Sequence, residues 1–424
     1  MSEERLVPKL RFSGFDDEWK SVKLNETGEI VTGATPPTDD KDNFTDSGYI
    51  WVTPGDIDSK KIVSKTDRNL SEKGLEKGRK IDSNSILVTC IGATIGKICM
   101  IKEKGSCNQQ LNAITPNEYF FPDFIYYTIQ KTAKNLLLIA GNTATPILNK
   151  KSFGNLSYNF PSFDEQKKIA LFIDKIDRKI ELLEKKHETY QDFKKYLMQQ
   201  IFAQKLRFDK TSEWETFALN DLGKTYNGLS GLSKDNFEKG NSKYITYKSI
   251  FDNNILKSDF TENVELNNKS QNEVKKGDLF FTGSSETPEE VGMVSVLNST
   301  VEDCYLNSFC FGFRLNNNYD INPLFLAYYL RSPIMRNKIM ILAQGSTRFN
   351  LSKKEILKLK VEIPPFSEQQ SIIDLFQNVD NKINEISMQT DNFNEFKKGL
   401  LQQMFINQLL KNLNDNKLKI YVLF

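Results

Sequence analysis

Hydrophobic positions along this chain follow two rhythms, one helical and one strand-like. In one stretch the seam positions Ile169, Ile173, Ile176, Ile180, Leu183, His187 and Tyr190 are separated alternately by four and three residues. That is the 3.5-residue period of a heptad seam. A second stretch repeats it at Ile372, Phe376, Val379, Ile383, Ile386, Thr390 and Phe393. Each stretch predicts a helix of ~40 residues, ~60 Å long at 1.5 Å per residue. A long helix with a single apolar seam needs a partner, so the two seams are expected to pack together as an intramolecular coiled coil. His187 stands on the first seam where the second has Thr390, which reads as a polar position that helps set register. Residues 20–160 and 215–363 instead hold short β-branched and aromatic runs broken by Gly, Asn and Asp. Examples are Tyr49-Ile-Trp-Val-Thr53, Ser85-Ile-Leu-Val-Thr89 and Asp278-Leu-Phe-Phe-Thr282. With helical patches late in each, near Phe124 and Phe325, these predict two α+β heads of roughly 150 residues.

The two rhythms repeat as a unit. Residues 161–202 and 364–405 overlay without a gap, and 15 of 42 positions are identical. Among them are Pro161/Pro364, Phe163/Phe366, Glu165/Glu368, Gln166/Gln369, Asp177/Asp380 and the Phe-Lys-Lys runs at 193–195 and 396–398. Solenoid repeats run ~20–50 residues, so an offset of 203 means two domain-sized halves. The heads echo each other more faintly. Lys9-Leu-Arg-Phe12 returns as Lys205-Leu-Arg-Phe208, and Trp19, Gly28 and Gly33 return as Trp214, Gly223 and Gly228. Elsewhere they diverge, as where Gly33-Ala-Thr-Pro-Pro37 faces Gly228-Leu-Ser-Gly-Leu232. Similar spacers with dissimilar heads suggest two different half-sites gripped at a fixed separation. The expected organisation is a first head at 1–160, a central spacer helix at 161–205, a second head at 206–363, a C-terminal spacer helix at 364–412 and a tail at 413–424. Head-then-helix, repeated about a pseudo-two-fold axis, makes the helices antiparallel.

Charge and composition narrow the class. The 57 basic and 55 acidic residues leave a net charge of +2, so nucleic-acid contact would have to rest on local patches. The five cysteines form no C-x-x-C pair and there is a single histidine, which argues against a Cys/His zinc site. The N-terminus MSEERLVPKL has no apolar signal core, and no run approaches the ~18 apolar residues of a membrane span. A cytoplasmic protein is expected.

The order of elements, with each long helix opening Pro-x-x-x-Glu-Gln at Glu165-Gln166 and Glu368-Gln369, closing at Gln199-Gln200-Ile-Phe202 and Gln402-Gln-Met-Phe405, and each head opening at Trp19 and Trp214, resembles the specificity subunit of a type I restriction-modification system. The resemblance covers nearly the whole chain, to about residue 407. It implies that the heads are target-recognition domains, each reading one half of a bipartite sequence in double-stranded DNA. It implies that the helices set the spacing and dock two methyltransferase subunits, which motor-nuclease subunits then join. The repeated helix starts at Gln166 and Gln369 are the expected docking points. By the same resemblance this chain performs no chemistry and binds no cofactor. S-adenosylmethionine, ATP and magnesium belong to the partner subunits. The alternative from another class is a coiled-coil scaffold whose two heads bind proteins.

Fragments that suggest catalysis have plainer readings. Asn322-Pro-Leu-Phe325 lacks the second proline of the adenine-methyltransferase motif it imitates, and reads as a capped helix start. Gly92-Ala-Thr-Ile-Gly-Lys97 is one residue short of a phosphate loop, with Ile98 where a hydroxyl should hold magnesium. It reads as a turn. Residues 331–360 carry eight basic side chains (Arg331, Arg336, Lys338, Arg348, Lys353, Lys354, Lys358, Lys360) against Glu355, and residues 60–80 carry eight against three acids. The matching stretch of the first half has Lys131, Lys134, Lys150 and Lys151. Phosphate contacts are expected from these. Base reading needs amides, hydroxyls and arginine on loops. The candidates are Thr35, Thr38, Asn142, Thr143, Thr145 and Lys150 in the first half, and Ser230, Lys234, Ser284, Ser285, Thr287, Ser346, Thr347, Arg348 and Lys353 in the second.

Overall fold

A computed structural model describes residues 5–141, 143–266 and 270–406. They fall into two compact units, one of residues up to Leu183 together with those from Gln389 onward, the other of Glu184–Met388. Each unit therefore holds one head and a portion of each long helix.

In the first head the strand Ile86–Thr89 lies between Leu111–Pro116 and Ile98–Met100, with Gly28–Thr32 beyond, all antiparallel. Every residue of Ile86–Thr89 is buried, because each face of the sheet is covered. Ile86 and Val88 enter a core with Phe124 and Ile125 of the helix Pro122–Ala140. Leu87 points the other way, into a core with Ile50 and Val52 of a smaller sheet. The second head repeats this plan. Leu279–Thr282 is central, between Cys310–Leu315 and Val294–Leu297. Leu279 and Phe281 pack with Phe325 and Tyr329, while Phe280 joins Ile245 and Ile250. The repeated glycines mark a close backbone crossing in both heads: a Cβ on Gly33 would stand 2.1 Å from the Asn108 carbonyl oxygen, and one on Gly228 2.1 Å from that of Asn307.

Each head closes on itself before its helix begins. Lys20–Lys23 pairs with Ser157–Phe160, and Glu215–Ala218 with Lys360–Ile363. The helices Phe163–Phe202 and Phe366–Met404 follow directly. Their seams are buried as the period predicts: Ile169, Ile173, Ile176, Ile180 and Leu183 are at most 8% exposed, as are Ile372, Phe376, Val379 and Ile386. Ile383 is only partly buried, and His187 is half-buried. In the first unit Ile169–Ile180 share a core with Leu400, Met404 and Phe405, so the start of one helix lies beside the end of the other. In the second unit Leu197, Ile201 and Phe202 share a core with Ile372 and Phe376. The helices are thus antiparallel. The helices pair as the expected intramolecular coiled coil, and the seams meet in part: Phe393 packs on the core of Ile169–Ile180, and Tyr190 on the core that holds Val379 and Ile383. Ile176 and Ile180 pack on the last turns of the second helix and on the head, and Ile383 belongs to the other core.

Several of the identities between the halves are accounted for by repeated contacts. Glu165, 1% exposed, takes a two-pronged ion pair from Arg11 at 2.8 and 2.8 Å. Glu368, 1% exposed, takes the same from Arg207 at 2.8 and 2.8 Å. Asp177 accepts from the Tyr127 hydroxyl at 2.7 Å and pairs with Lys397 at 2.6 Å. Asp380 accepts from Tyr328 at 2.8 Å and pairs with Lys194 at 2.5 Å. Each aspartate thus ties a head helix to both long helices. Gln166 and Gln369, expected at a docking surface, are instead buried. Gln166 accepts from the Phe121 backbone N–H at 2.9 Å and donates to the Pro161 carbonyl at 3.0 Å. Gln369 accepts from the Asn322 N–H at 2.8 Å and donates to the Pro364 carbonyl at 2.9 Å. Both satisfy backbone groups where a head helix begins, so neither side chain is available to a partner.

Candidate nucleic-acid interface

The second head brings loops distant in sequence onto one face. Ser284–Ser285 pairs with Phe349–Leu351, which pairs with Ala343–Gln344, in a small three-stranded sheet. Its tip turns at Gly345, whose φ of +139° and whose position 2.0 Å (as a built Cβ) from the Arg348 carbonyl oxygen require glycine. The turn presents Thr347 and Arg348 to a cleft of about 790 Å³ shared with Tyr247, Ser284, Ser285 and Phe309. A second cleft of about 360 Å³, adjoining it at Ser284 and Phe309, is lined also by Ser230 and Lys353. Six of the nine candidates in this half therefore meet: Ser230, Ser284, Ser285, Thr347, Arg348 and Lys353. Lys234, Thr287 and Ser346 are exposed but line neither cleft.

Side-chain partners set the chemistry of this face. The Arg348 guanidinium donates to the Ser284 hydroxyl at 3.1 Å and lies over the Phe309 ring at 5.2 Å. Ser285 donates to the Glu290 carboxylate at 2.8 Å, and Glu286 and Glu290 line the same cleft. Lys353 bonds the Asn227 side chain and sits over the Phe311 ring at 5.8 Å, and burial lowers its pKa. Sequence reasoning missed Phe309, which is 56% exposed at the rim of both clefts. An isolated aromatic residue in a turn carries no local signal of that position.

The first head has the corresponding frame with different side chains. Exposed Thr35 donates to Gln109 at 2.5 Å. Gln110, beside it, accepts through its carbonyl from the Cys90 N–H at 2.7 Å. The segment bearing Thr143 and Thr145 is anchored there, with the Gly92 N–H on the Pro146 carbonyl at 2.9 Å and the Leu148 N–H on that of Cys90 at 2.8 Å. Thr143 and Thr145 are exposed, and Lys150 opens the helix Lys150–Gly154 behind the Asn149 cap. Asn142 and the tail at 413–424 lie outside the described residues. Thr38 is exposed on the neighbouring turn. Gln109 and Gln110 were not anticipated.

Much of the basic charge proves to be structural, which corrects the expected pool of phosphate contacts. Arg331 donates to the carbonyls of Ile250, Phe251 and Asn253 at 2.7, 3.0 and 2.8 Å, and burial, with Arg336 nearby, lowers its pKa to about 10. Arg336 donates to Gly292, Glu289 and Val291 at 2.6, 2.7 and 2.6 Å. In the first unit Lys131 donates to the Phe405 carbonyl at 2.6 Å, and burial lowers its pKa to about 8. Lys61 is held by Asp123 and Asp174, and Lys73 and Lys77 pair with Asp40. Lys338, Lys354 and Lys360 remain exposed. The catalytic look-alikes are accounted for as well. Asn322 caps the helix Pro323–Leu330. Residues 92–97 form a turn whose Lys97 donates to the Pro54 and Ile57 carbonyls at 2.9 and 2.9 Å.

Two closely similar frames, each tied to a pair of antiparallel helices and each carrying its own polar loops, define a two-headed recognition protein. Residues 16–189 and 211–392 match the family described as Type I restriction modification DNA specificity domain, and the chain belongs to that family. It is similar to the MjaIX specificity subunit of Methanocaldococcus jannaschii, 24% identical over 294 residues, 64% of this chain and 68% of that one. The EcoR124I/EcoR124II specificity subunit of Escherichia coli is 30% identical over 202 residues, 43% of this chain and 49% of that one. The S subunit of a type I system from M. genitalium shares the fold, with a TM-score of 0.57 and 15% identity over 95% of this chain and all (100%) of that one. A structure from work on assembly and conformational transition of the type I R-M system has a TM-score of 0.59 and 16% identity, covering 92% of this chain and 98% of that one. No helix among the described residues is long and apolar enough to cross a membrane.

Proposed function

We propose that this chain is the DNA-reading subunit of a cytoplasmic type I restriction-modification complex and that each head reads one half of a bipartite, asymmetric duplex target. One observation carries the reading. Many of the identities between the halves lie in the frame, as in Glu165/Glu368 and Asp177/Asp380, whereas the loop surfaces differ, with Gln109-Gln110 in one head where the other has Ser308-Phe309. A common frame with unlike reading surfaces fits two unlike half-sites. The chain itself carries out no reaction. S-adenosylmethionine, ATP and magnesium serve the methyltransferase and motor-nuclease subunits that it positions.

Two methyltransferase subunits per chain are supported by a second set of identities. Phe163 and Phe366 are 41% and 51% exposed, and Phe193 and Phe396 are 46% and 50% exposed. Lys195/Lys398 and Gln199/Gln402 are also exposed at matched positions. Exposed aromatic rings retained at equivalent positions of both halves suit two copies of one partner. The test replaces residues 206–363 with those of a relative and maps methylated sites in cells that carry the complete complex. One half of the target is expected to change. A change in both halves, or duplex binding that is independent of sequence and salt, would refute the reading and favour a protein scaffold.

A further inference from the structure

We infer that Arg348 reads a guanine in the half-site of the second head, and that Phe309 and Ser284 are positioning residues that hold its guanidinium for that contact. The inference rests on the reading of this chain as a sequence-specific DNA binder and extends it to one base and one residue.

Arginine on a DNA-binding face has two common uses, a phosphate contact and a two-pronged contact to the O6 and N7 of guanine in the major groove. Three observations favour the second. First, the guanidinium is held at two points. One Nη2 hydrogen is engaged by Ser284 at 3.1 Å and the group lies over the Phe309 ring at 5.2 Å. The other Nη2 hydrogen and those on the remaining nitrogens can still form a parallel fork. An oriented fork suits a planar base edge, and because it also matches a phosphate, the charges beside it decide between the two. Second, Glu286 and Glu290 line the same cleft. Two carboxylates repel phosphate, whereas carboxylates accept hydrogen bonds from base amino groups. Third, the backbone bearing Arg348 is braced. Phe349–Leu351 is paired on both sides, with Ser284–Ser285 and with Ala343–Gln344, and the tight turn at Gly345 fixes where the chain re-enters that sheet. A site built on paired strands holds its contact geometry better than one on an unsupported loop.

Lys353, 5.8 Å from the Phe311 ring and bonded to Asn227, is a neighbouring cation without such a fork. The corresponding segment of the first head, residues 143–149, contains no arginine. The predicted guanine contact therefore belongs to one half-site alone.

The experiment selects bound sequences from a pool of randomised duplex DNA. It uses the full chain in complex with its methyltransferase subunits, and compares wild type with Arg348→Ala, Arg348→Lys, Phe309→Ala and Phe309→Tyr. Wild type should show a guanine at one position of one half-site. Arg348→Ala should lower that preference by about 5- to 150-fold, the span of one good two-pronged pair, and leave every other position unchanged. Arg348→Lys keeps the charge without the fork, so overall affinity should hold while the guanine preference falls. Phe309→Ala should weaken the same position, and Phe309→Tyr, which keeps a ring under the guanidinium, should restore it. Equal weakening for all sequences with a shallower salt dependence would make Arg348 a phosphate contact and overturn the inference. So would an unchanged preference at every position. If wild type selects no sequence at all, the proposed function itself fails, which separates the two outcomes. Melting of each complex identifies any variant lost to misfolding. Arg348→Lys, an exposed substitution that keeps the positive charge, supplies the decisive result in that case.

Discussion

Replacing Arg207 by methionine removes the guanidinium and keeps most of the side-chain volume. Glu368 would then remain in a site where its side chain is fully buried, at 0% exposure, and the Arg207 side chain is 10% exposed. Its surviving donors are the Trp214 indole N–H at 3.2 Å and the backbone N–H groups of Phe208 at 3.2 Å and Asp209 at 3.5 Å. Breaking one side of a buried pair costs about 3–5 kcal/mol, since the remaining charge stays buried without its counter-ion. For a unit of this size, about 2–4 °C per kcal/mol gives a loss of about 6–20 °C in melting temperature. The pH dependence carries a sign. In the native chain burial raises the Glu368 pKa, but the Arg207 hydrogen bonds and those of the Asp209 backbone and the Trp214 indole outweigh it, so the net shift is downward. A lowered carboxyl pKa gives stability that is present above the unfolded-state value and lost as pH falls through the folded-state value. Without Arg207 burial dominates and the pKa rises. The variant should therefore gain stability as pH falls through the raised value, opposite in sign to the native contribution of this group. Calorimetric melting of the full chain at neutral and acid pH measures both effects. Arg207→Met/Glu368→Leu should recover most of the loss, because no unpaired charge is left behind. A shift under about 2 °C, or an acid dependence of unchanged sign, would refute the argument that this pair locks the second head to its helix. Arg11→Met tests the same contact in the first unit.

Ile180→Asp should destabilise the first unit by more than the about 2–5 kcal/mol of an isoleucine truncation, since it also buries a charge at a position 8% exposed; a melting temperature equal to wild type would mean that this face of the helix is not packed. Arg331→Met should lower the melting temperature of the second unit, because it strands the carbonyls of Ile250, Phe251 and Asn253. It should leave the salt slope of DNA binding unchanged, whereas a slope reduced by about one would assign it to phosphate. Gly228→Ala should destabilise the second head by at least about 1–3 kcal/mol through overpacking, since the new methyl would meet the Asn307 carbonyl oxygen at 2.1 Å, and unchanged urea unfolding would disprove that crossing.

The repeat, the two long helices, their antiparallel sense and the composition of the heads could all be read from the chain. They depend on spacing along the sequence: a 3.5-residue seam from Ile169 to Tyr190, apolar runs such as Ile86–Thr89, and an overlay at a fixed offset. Short-range periodicity is imposed by backbone geometry, and it survives in the sequence whatever the tertiary partners are. The use made of individual polar residues was decided by the tertiary structure. Arg11 meets a carboxylate 154 residues away, and although Arg11 and Glu165 each recur in the second half, as Arg207 and Glu368, the sequence does not say that they pair with each other. Gln166 and Gln369 are of a type usually found on surfaces, yet the unsatisfied N–H groups at the starts of two head helices hold them inside. Arg331 and Arg336 made a run look like a DNA-binding surface, but their donors close on backbone carbonyls that burial would otherwise leave unpaired. Arg348, in the same run, is the one placed beside Ser284 and Phe309. Sequence carries charge and period, but whether a cation faces a carbonyl, a carboxylate or an open cleft depends on which distant loops the sheet brings beside it.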